Sequence, residues 1–548
     1  MSFRKYGCLY DWGMSSTDRT DVLVAGAGPT GMLLAAELAR RGVRVRLIEQ
    51  LPAPAEYSRA LGVMPRTMEM MAQLGMADAF VTHGHKAKGV LLYGKDRREL
   101  VRTELTDLQT DFPFFLLLPQ TRSEAILADH IREMEVEIER GTSLLEFEDR
   151  GSHVRTVLGK SGGQKEELEV SYLVGCDGSH SVVRQGMKLE FEGDAYHQNW
   201  LLADVFLEPL LDPKWLHLFT TPAGPILFFP LPENVWRIVA MRKGEVAGGE
   251  KVTLEDLSGM LEMNQLGHLR PRDPLWVAGF GIQHRRVGNL RIGRVFLCGD
   301  SAHIHSPAGG QGMNTGLGDA FNLGWKLANV VKGRAKEELL NSYEIERIPV
   351  IDGVLKMTDR MTHVMTATEG PIAWFREWMM PLLAKMGFAE KVAFRLSQLQ
   401  VAYPHSPAVL PGRGESGVKP GERMPPLVFR HHQTGQTMKT SDLLARGKLV
   451  LLVMPDMGIG PEGLRKAIGA RGDLIDWHWV LGKGKDKPSE ARSEEAVWVD
   501  GDGSVREVLG VADHPSYALI RPDGILMARG ELCETQLLQD FLGRVFGE

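Results

Sequence analysis

The sequence predicts an α/β and α+β protein of about two to four packed units, and three observations carry that expectation. A β-branched run at residues 21–26, DVLVAG, ends in glycines and passes directly into GMLLAAELARRG, whose apolar positions recur at helical spacing. Aromatic-rich strand patterns crowd residues 191–280, with few helical runs among them. A proline-, glycine- and charge-rich junction, VLPGRGESGVKPGERMPP, then sets off a tail in which strand and helix patterns alternate.

The elements follow in order. After the first strand and helix, Gly42 stops the helix and VRVRLIEQ reads as a second strand ending near Glu49, which makes a right-handed βαβ opening. Residues 65–74 read as a helix, LLLPQTRSEAILADHIRE as a strand end with a helix, and residues 141–174 as a meander. LEVSYLVGCDG returns a strand to a glycine-bounded turn; WLHLFT, PILFFPLP and VWRIVA belong to the separate sheet. RIGRVFLCGD resumes the strand pattern, and a glycine-rich stretch leads into a long helix. Helical spacing continues over 339–399, interrupted at PIAWFREWMMPLL, and LVLLVMP, LIDWHWVLG and YALIRPDG are the strands of the tail.

Composition excludes several classes. A hydrophobic fraction of 43% and a charged fraction of 24% are those of a soluble globular protein. A net charge of -6 gives no basic surplus for a nucleic-acid partner. Cys8, Cys176, Cys298 and Cys533 show no metal-ligand or redox spacing, which favours a reducing compartment and no metal site. The polar start reads as a frayed extension, not a signal peptide, and no stretch approaches the roughly 20 apolar residues of a membrane span. A cytoplasmic protein is the default expectation.

Three motifs carry chemistry. In Gly26-Ala27-Gly28-Pro29-Thr30-Gly31, the first glycine suits a tight turn, the second a close approach of pyrophosphate, and the third close helix–strand packing. The helix N-terminus then faces the diphosphate, and Glu49, 18 residues beyond Gly31, can accept ribose hydroxyls. This points to a dinucleotide without choosing between FAD and NAD. The second motif, GCDGSHSVVR, is by itself also an ordinary turn. The third, RVFLCGDSAHIHSPAGGQGMNTGLGDAFNLGWKL, is the most specific.

Together the motifs resemble those of the class A FAD-dependent aromatic hydroxylases, the para-hydroxybenzoate hydroxylase-like group. Within it the chain is most similar to the phenol, hydroxyphenylpropionate and polyketide hydroxylases with a thioredoxin-like C-terminal domain. The resemblance runs from Asp21 to the C-terminus, in outline only over 191–280. It implies a glutathione-reductase-like FAD-binding Rossmann domain (20–89, 120–190 and 284–345) and a sheet-rich substrate domain (90–119 and 191–283). A helical region (346–410) and a thioredoxin-like domain (421–548) follow; lacking any Cys-x-x-Cys, the latter would exchange no disulfides.

The resemblance also implies roles. Asp177, with Gly178 and Ser181, sits near the pyrophosphate, and Arg184 orients the loop or assists nicotinamide. Asp300 bonds the ribityl chain, the Pro307 carbonyl lies beside the flavin, and residues 309–314, Gly310 among them, pass under its pyrimidine ring. The amides of Gly312, Met313 and Asn314 at a helix start can stabilise the negative edge of reduced flavin, which makes them, with Pro307, the catalytic candidates. His303 belongs to the cofactor loop and is not a general base. Arg59, Arg66, Gln120 and Arg122 bind or order FAD, and Gln50 stands where many relatives carry arginine or lysine.

For the substrate, Trp200, Trp215, Phe219, Phe228, Phe229 and Trp236 either line an aromatic cavity or fill the core, with His217 and Arg237 facing a phenolate or carboxylate. The expected activity is monooxygenation of a phenolic or polycyclic aromatic substrate with FAD, NADPH or NADH, and O2. A Baeyer–Villiger oxygenase or epoxidase of the same fold and a non-catalytic flavin-binding module are the alternatives. A homodimer is the assembly to test.

Overall fold

Burial follows the apolar patterns. In the computed structural model, which describes residues 20–56, 60–242, 252–306, 309–412, 416–455, 461–485, 487–511 and 514–547, the strand Val22–Ala25 is buried throughout. It pairs in parallel with Val45–Glu49 on one side and Tyr172–Gly175 on the other. The six-stranded sheet runs Arg291–Ile292, Val295–Leu297, Tyr172–Gly175, Val22–Ala25, Val45–Glu49, Ile138–Arg140. Helix Pro29–Ala39 crosses between the first two strands and packs on helix Gly312–Val331. Strands buried on both faces need continuous apolar runs, which is what VLVA and YLVG supply. Cys176 and Cys298, 122 residues apart, follow the paired ends Gly175 and Leu297 of neighbouring strands, a proximity that sequence spacing hides. The thiol of Cys298 and burial both raise the pKa of Cys176, so it stays protonated.

The meander is a three-stranded antiparallel sheet, Thr142–Asp149, Val154–Lys160 and Lys165–Val170. The larger sheet has eight strands, in the order His303–Ile304, Arg270–Arg286, Glu192–Glu208, Val235–Arg242, Gly224–Pro230, Trp215–Thr221, Gly89–Tyr93, Glu99–Glu104. Its first strand comes from the third motif and pairs with Arg285 and Arg286, stitching that loop to the sheet. Successive side chains alternate between faces. One face packs Phe219, Phe228 and Trp236 against Leu257 and Leu261 of helix Leu254–Met263, which begins in a Thr253–Asp256 capping box. The other looks onto an interior cavity, with Leu216, Leu218, Leu227 and Phe229 only half-buried.

Helix Asn341–Thr366 is followed by helical turns from Gly370 to Leu396. The interruption expected at PIAWFREWMMPLL is itself helical, with π-turns at Phe375–Met379 and Ala384–Phe388. No helix among the described residues is long and apolar enough to cross a membrane. In the tail, Ile475–Gly482 and Leu449–Met454 are parallel, and Ser516–Ile520 and Leu526–Glu531 continue the sheet antiparallel, the order of a thioredoxin core. Ala496–Asp500 adds a parallel strand outside it. Trp325 of the long helix is fully buried among the tail's core residues. Phe228→Ala should lower the unfolding free energy by about 3–5 kcal/mol. Leu227→Ala, on the cavity face, should cost clearly less; urea denaturation compares the two.

Candidate active site

A cavity of about 910 Å³ joins the three motifs to the half-buried face of the large sheet. At one end lie Gly28, Pro29 and Thr30, at the start of a helix with no side-chain cap. The first and third glycines are dictated by packing: a Cβ on Gly26 would come within 2.4 Å of the Cys176 carbonyl oxygen, and one on Gly31 within 1.9 Å of the Gly26 oxygen. A Cβ on Gly28 would meet nothing within 4 Å, so the space before the helix amides is open, as a diphosphate requires. Glu49 is held beside the turn by the amides of Ala27 and Leu51, each donating over 2.9 Å to a different carboxylate oxygen. Gln50 is exposed.

The second motif is a clasp. The Asp177 carboxylate accepts from the Val183 amide at 3.1 Å; its other oxygen is buried with no protein partner, and burial raises its pKa. Ser181 caps the same short helix by accepting from the Arg184 amide at 2.9 Å. The Arg184 guanidinium donates to the carbonyls of Ser301 (2.9 Å) and Ser179 (2.7 Å) and lies 4.0 Å over the Phe191 ring. It therefore ties the second motif to the third.

In the third motif, Asp300 lies deep in the protein but opens into the cavity, and no side-chain hydrogen bond engages it among the described residues. Burial raises its pKa, as suits a carboxylate awaiting hydroxyl donors. Helix Gly312–Val331 starts without a side-chain cap, and Gly310, Gly312 and Met313 line the cavity beside it. The Asn314 side chain is fully engaged: it accepts from the Met64 amide (2.9 Å) and Thr67 hydroxyl (2.8 Å) and donates to the carbonyls of Gly62 and Gly310 (2.8 Å each). His303 is bonded to Asp319 at 2.7 Å, a structural position. Arg59 and Pro307 lie outside the described residues.

Other expected residues are elsewhere. Gln120 reaches the cavity with its amide on Glu124 at 2.8 Å, but Arg122 is exposed and off the cavity wall. Arg66 turns away, donating to Glu69 (2.9 Å) and to the Asp523 carbonyl of the tail (2.5 Å). Phe219, Phe228 and Trp236 belong to the core on the opposite sheet face, and Trp200, not itself on the cavity wall, clusters with Met241 against the wall residues Leu227, Val239 and Phe280. Arg237 donates twice to the Asp204 carboxylate at 2.7 Å. His217 reaches the wall, but its ring is bonded to the Tyr93 hydroxyl (3.2 Å) and the Asp212 carbonyl (2.9 Å). The reason is register: shifting by one residue exchanges faces, and both faces of these strands are apolar.

Of the six aromatic residues singled out in the sequence, Phe229 lines the chamber; sequence reasoning missed most of its other walls. Leu216, Leu218, Leu227, Phe229 and Val239 form the sheet side, and Met361, Met365 and Val392 the helical side. Gln283, Arg285 and His305 supply polar groups. Alternation along Gly281, Gln283 and Arg285 was the available signal; Arg286 points the other way and pairs with Asp352 at 2.6 Å. Burial, with His303 adding to it, pushes the His305 pKa down to about 4.

Residues 19–358 match the family described as FAD binding domain. The 6-methylpretetramide 4-monooxygenase of Streptomyces rimosus is 37% identical over 535 residues, covering 95% of this chain and 92% of that one. The chain belongs to the class A FAD-dependent aromatic hydroxylases. Pentachlorophenol 4-monooxygenase of Sphingobium chlorophenolicum is 30% identical, covering 94% of this hydroxylase and 95% of that enzyme. The solved anhydrotetracycline hydroxylase of Streptomyces rimosus superposes with a TM-score of 0.78 at 30% identity, over 97% of this chain and 100% of that one. Among the described residues, the open space before Gly28, the buried Asp177 oxygen with no hydrogen bond and the unengaged Asp300 fit FAD. The enzyme is an FAD-dependent monooxygenase.

Two outcomes follow. Gly31→Ala should displace the first helix from its turn and abolish FAD retention, read by flavin absorbance after gel filtration. His305 carries a folded pKa of about 4 against 6.5 unfolded, so the unfolded chain binds more protons between those values. Stability should fall as pH drops through that window, and His305→Gln should flatten the fall in the urea midpoint.

Proposed function

We propose that this monooxygenase hydroxylates a phenolic, polycyclic aromatic substrate with NADPH or NADH and O2. The carrying observation is one continuous cavity, running from the glycine turn and Asp300 to an apolar chamber walled by Leu218, Phe229 and Val239 opposite Met361 and Met365. An apolar chamber of this size suits an aromatic substrate, and the relatives named above are monooxygenases or hydroxylases of 6-methylpretetramide, pentachlorophenol and anhydrotetracycline.

Bound FAD supplies electron storage and oxygen activation. Glu49 would accept its ribose hydroxyls, with Gln50 and Gln120 on the adenosine side. Gly26, Gly28, Pro29, Thr30 and Gly31 would receive the diphosphate, with Asp177 and Arg184 fixing the facing loop. Asp300 would take a ribityl hydroxyl. The amides of Gly312, Met313 and Asn314, with Gly310 and Pro307 before them, would hold the pyrimidine edge and stabilise its negative charge on reduction. Arg59 and Arg122 keep only the support of the family resemblance. The division into FAD-binding (20–89, 120–190, 284–345), substrate (90–119, 191–283), helical (346–410) and thioredoxin-like (421–548) domains is part of this reading; the six-, eight- and seven-stranded sheets support its outline, while Phe115–Leu117, paired with Gly62–Val63 and His85–Ala87, and His303–Ile304, in the eight-stranded sheet, cross its bounds.

At the substrate, Arg285 and His305 would act on the phenol. No protein group pairs with the Arg285 side chain among the described residues, and its Nε is buried without a partner. A guanidinium so placed stabilises a phenolate oxygen. His305 stays neutral at working pH, leaving its buried Nε2, without a partner among the described residues, to accept a hydrogen bond from the hydroxyl. An ionised ring is richer in electrons and reacts faster with an electrophilic oxygen. The apolar walls exclude water from the reacting atoms.

The test is anaerobic flavin reduction by each nicotinamide, with phenols and polycyclic phenols as effectors, followed by product NMR under air. Substrate-stimulated reduction and a new ring hydroxyl are expected; bound flavin with no stimulated oxidation of NADPH or NADH would sink the proposal. Arg285→Met should raise the substrate KM about tenfold or more with the nicotinamide KM unchanged. The reverse pattern would reassign Arg285 to the nicotinamide. Asp300→Ala should weaken FAD retention strongly.

A further inference from the structure

The tail is joined to the flavin helix by charged groups with no access to solvent. Arg521 donates twice to Glu346, at 2.7 and 2.8 Å, and twice to Asp523, at 3.0 and 2.6 Å. Arg521 and Glu346 are both 0% exposed. Lys326 donates to the same Glu346 at 2.8 Å, and Asn322 and Ser406 also donate to it. The Trp325 indole donates to Asp523 at 3.2 Å, and Arg521 lies 5.1 Å from its ring centre. Lys326, Trp325 and Asn322 all belong to helix Gly312–Val331, whose first turn faces the cavity.

Two routes lead from this cluster to the cofactor loop. In the first, Arg347, next in sequence to Glu346, donates to Asp319 at 2.6 Å and to the Thr315 carbonyl at 3.1 Å. Asp319 in turn accepts from the Gly299 amide at 3.1 Å and binds His303 at 2.7 Å, on either side of Asp300. In the second, the Asp523 carbonyl accepts from Arg66, in helix Pro65–Gln73. The Met64 amide before that helix and Thr67 within it hold the Asn314 side chain. Both routes start in the turn at residues 521–524 and end on opposite flanks of the loop.

We infer that the Arg521-Pro522-Asp523-Gly524 turn of the C-terminal module is a positioning element of the flavin site, fixing Gly299 and His303 on one flank of the cofactor loop and Asn314 on the other. Arg521 and Asp523 touch neither cofactor nor substrate; they act through Glu346, Arg347 and Asp319 on one side and through Arg66 on the other. The module is then part of the redox centre's scaffold. A fully satisfied buried charge network rigidifies the groups that it joins. The inference rests on the reading that flavin lies against residues 309–314.

The experiment uses the full-length holoenzyme and its reconstituted apo form. Arg521→Met, Arg521→Lys and Asp523→Asn are compared with Arg465→Met, a control in the same module where Arg465 pairs with Glu495. FAD dissociation constants come from fluorescence titration, and flavin midpoint potentials from spectroelectrochemistry. Arg521→Met should weaken FAD roughly three- to thirtyfold and shift the potential. Arg521→Lys should recover part of both, and Arg465→Met should lower Tm without changing either. Wild-type affinity and potential in Arg521→Met and Asp523→Asn, or equal effects from Arg465→Met at matched loss of Tm, would overturn the inference. If Arg521→Met does not fold, Asp523→Asn decides it alone. Asp300→Ala in the same titration separates the two readings: unchanged FAD binding there would remove the assumed flavin position, whereas a loss there with none in the turn variants would remove only the relay.

Discussion

A carboxylate that lines no part of the cavity organises its redox end. Asp319 is completely buried, and burial alone would raise its pKa; Arg347 and His303 overcome this and hold it ionised. Its two oxygens are divided between Arg347 on one side and His303 with the Gly299 amide on the other. An isolated buried carboxylate is among the costliest groups a protein can contain, so each partner is obligatory. Meeting that requirement fixes the backbone at Gly299 and His303, and with them the direction of Asp300 between. The open coordination of Asp300 is thus a product of the complete coordination of its neighbour.

Local sequence made the nucleotide-binding half legible. Glycine spacing, β-branched strands and an acidic residue at the end of the second strand are short-range signals, and the structure brings Gly28, Arg184 and Asp300 around one space, with Glu49 bonded to the Ala27 amide next to Gly28. The chamber was legible only as a sheet. WLHLFT and PILFFP carry apolar residues on both faces, because one face packs on helix Leu254–Met263 and the other on the cavity. Picking the largest aromatics selected, apart from Phe229, side chains that do not line the cavity, and left the smaller Leu and Val side chains unnoticed. The helical wall was invisible for a different reason: Met361 and Met365 read simply as core positions at helical spacing.

The same limitation applies to charge. Arg66, Lys326, Glu346 and Arg521 look in sequence like solvated or phosphate-facing groups, since charged side chains are rarely buried. What buries them is mutual: four elements, spread between residues 66 and 521, each bring one member of a network whose members satisfy one another. No window of sequence contains that information. It also explains why the tail, whose own strand pattern would let it fold as a unit, is seated against the body through polar contacts at Glu346 and Trp325.

The two-residue strand His303–Ile304 is at once the outer edge of the large sheet and the approach to the loop before the long helix. Filling the chamber and setting the loop therefore share one pair of peptide units. Any occupant that favours one arrangement of that edge must, by reciprocity of free energies, be favoured in return by the matching state of the loop. Were that edge to have two such arrangements, an aromatic guest and the redox group would be mutual effectors, and a poorly fitting guest would leave electron delivery uncoupled from its own presence.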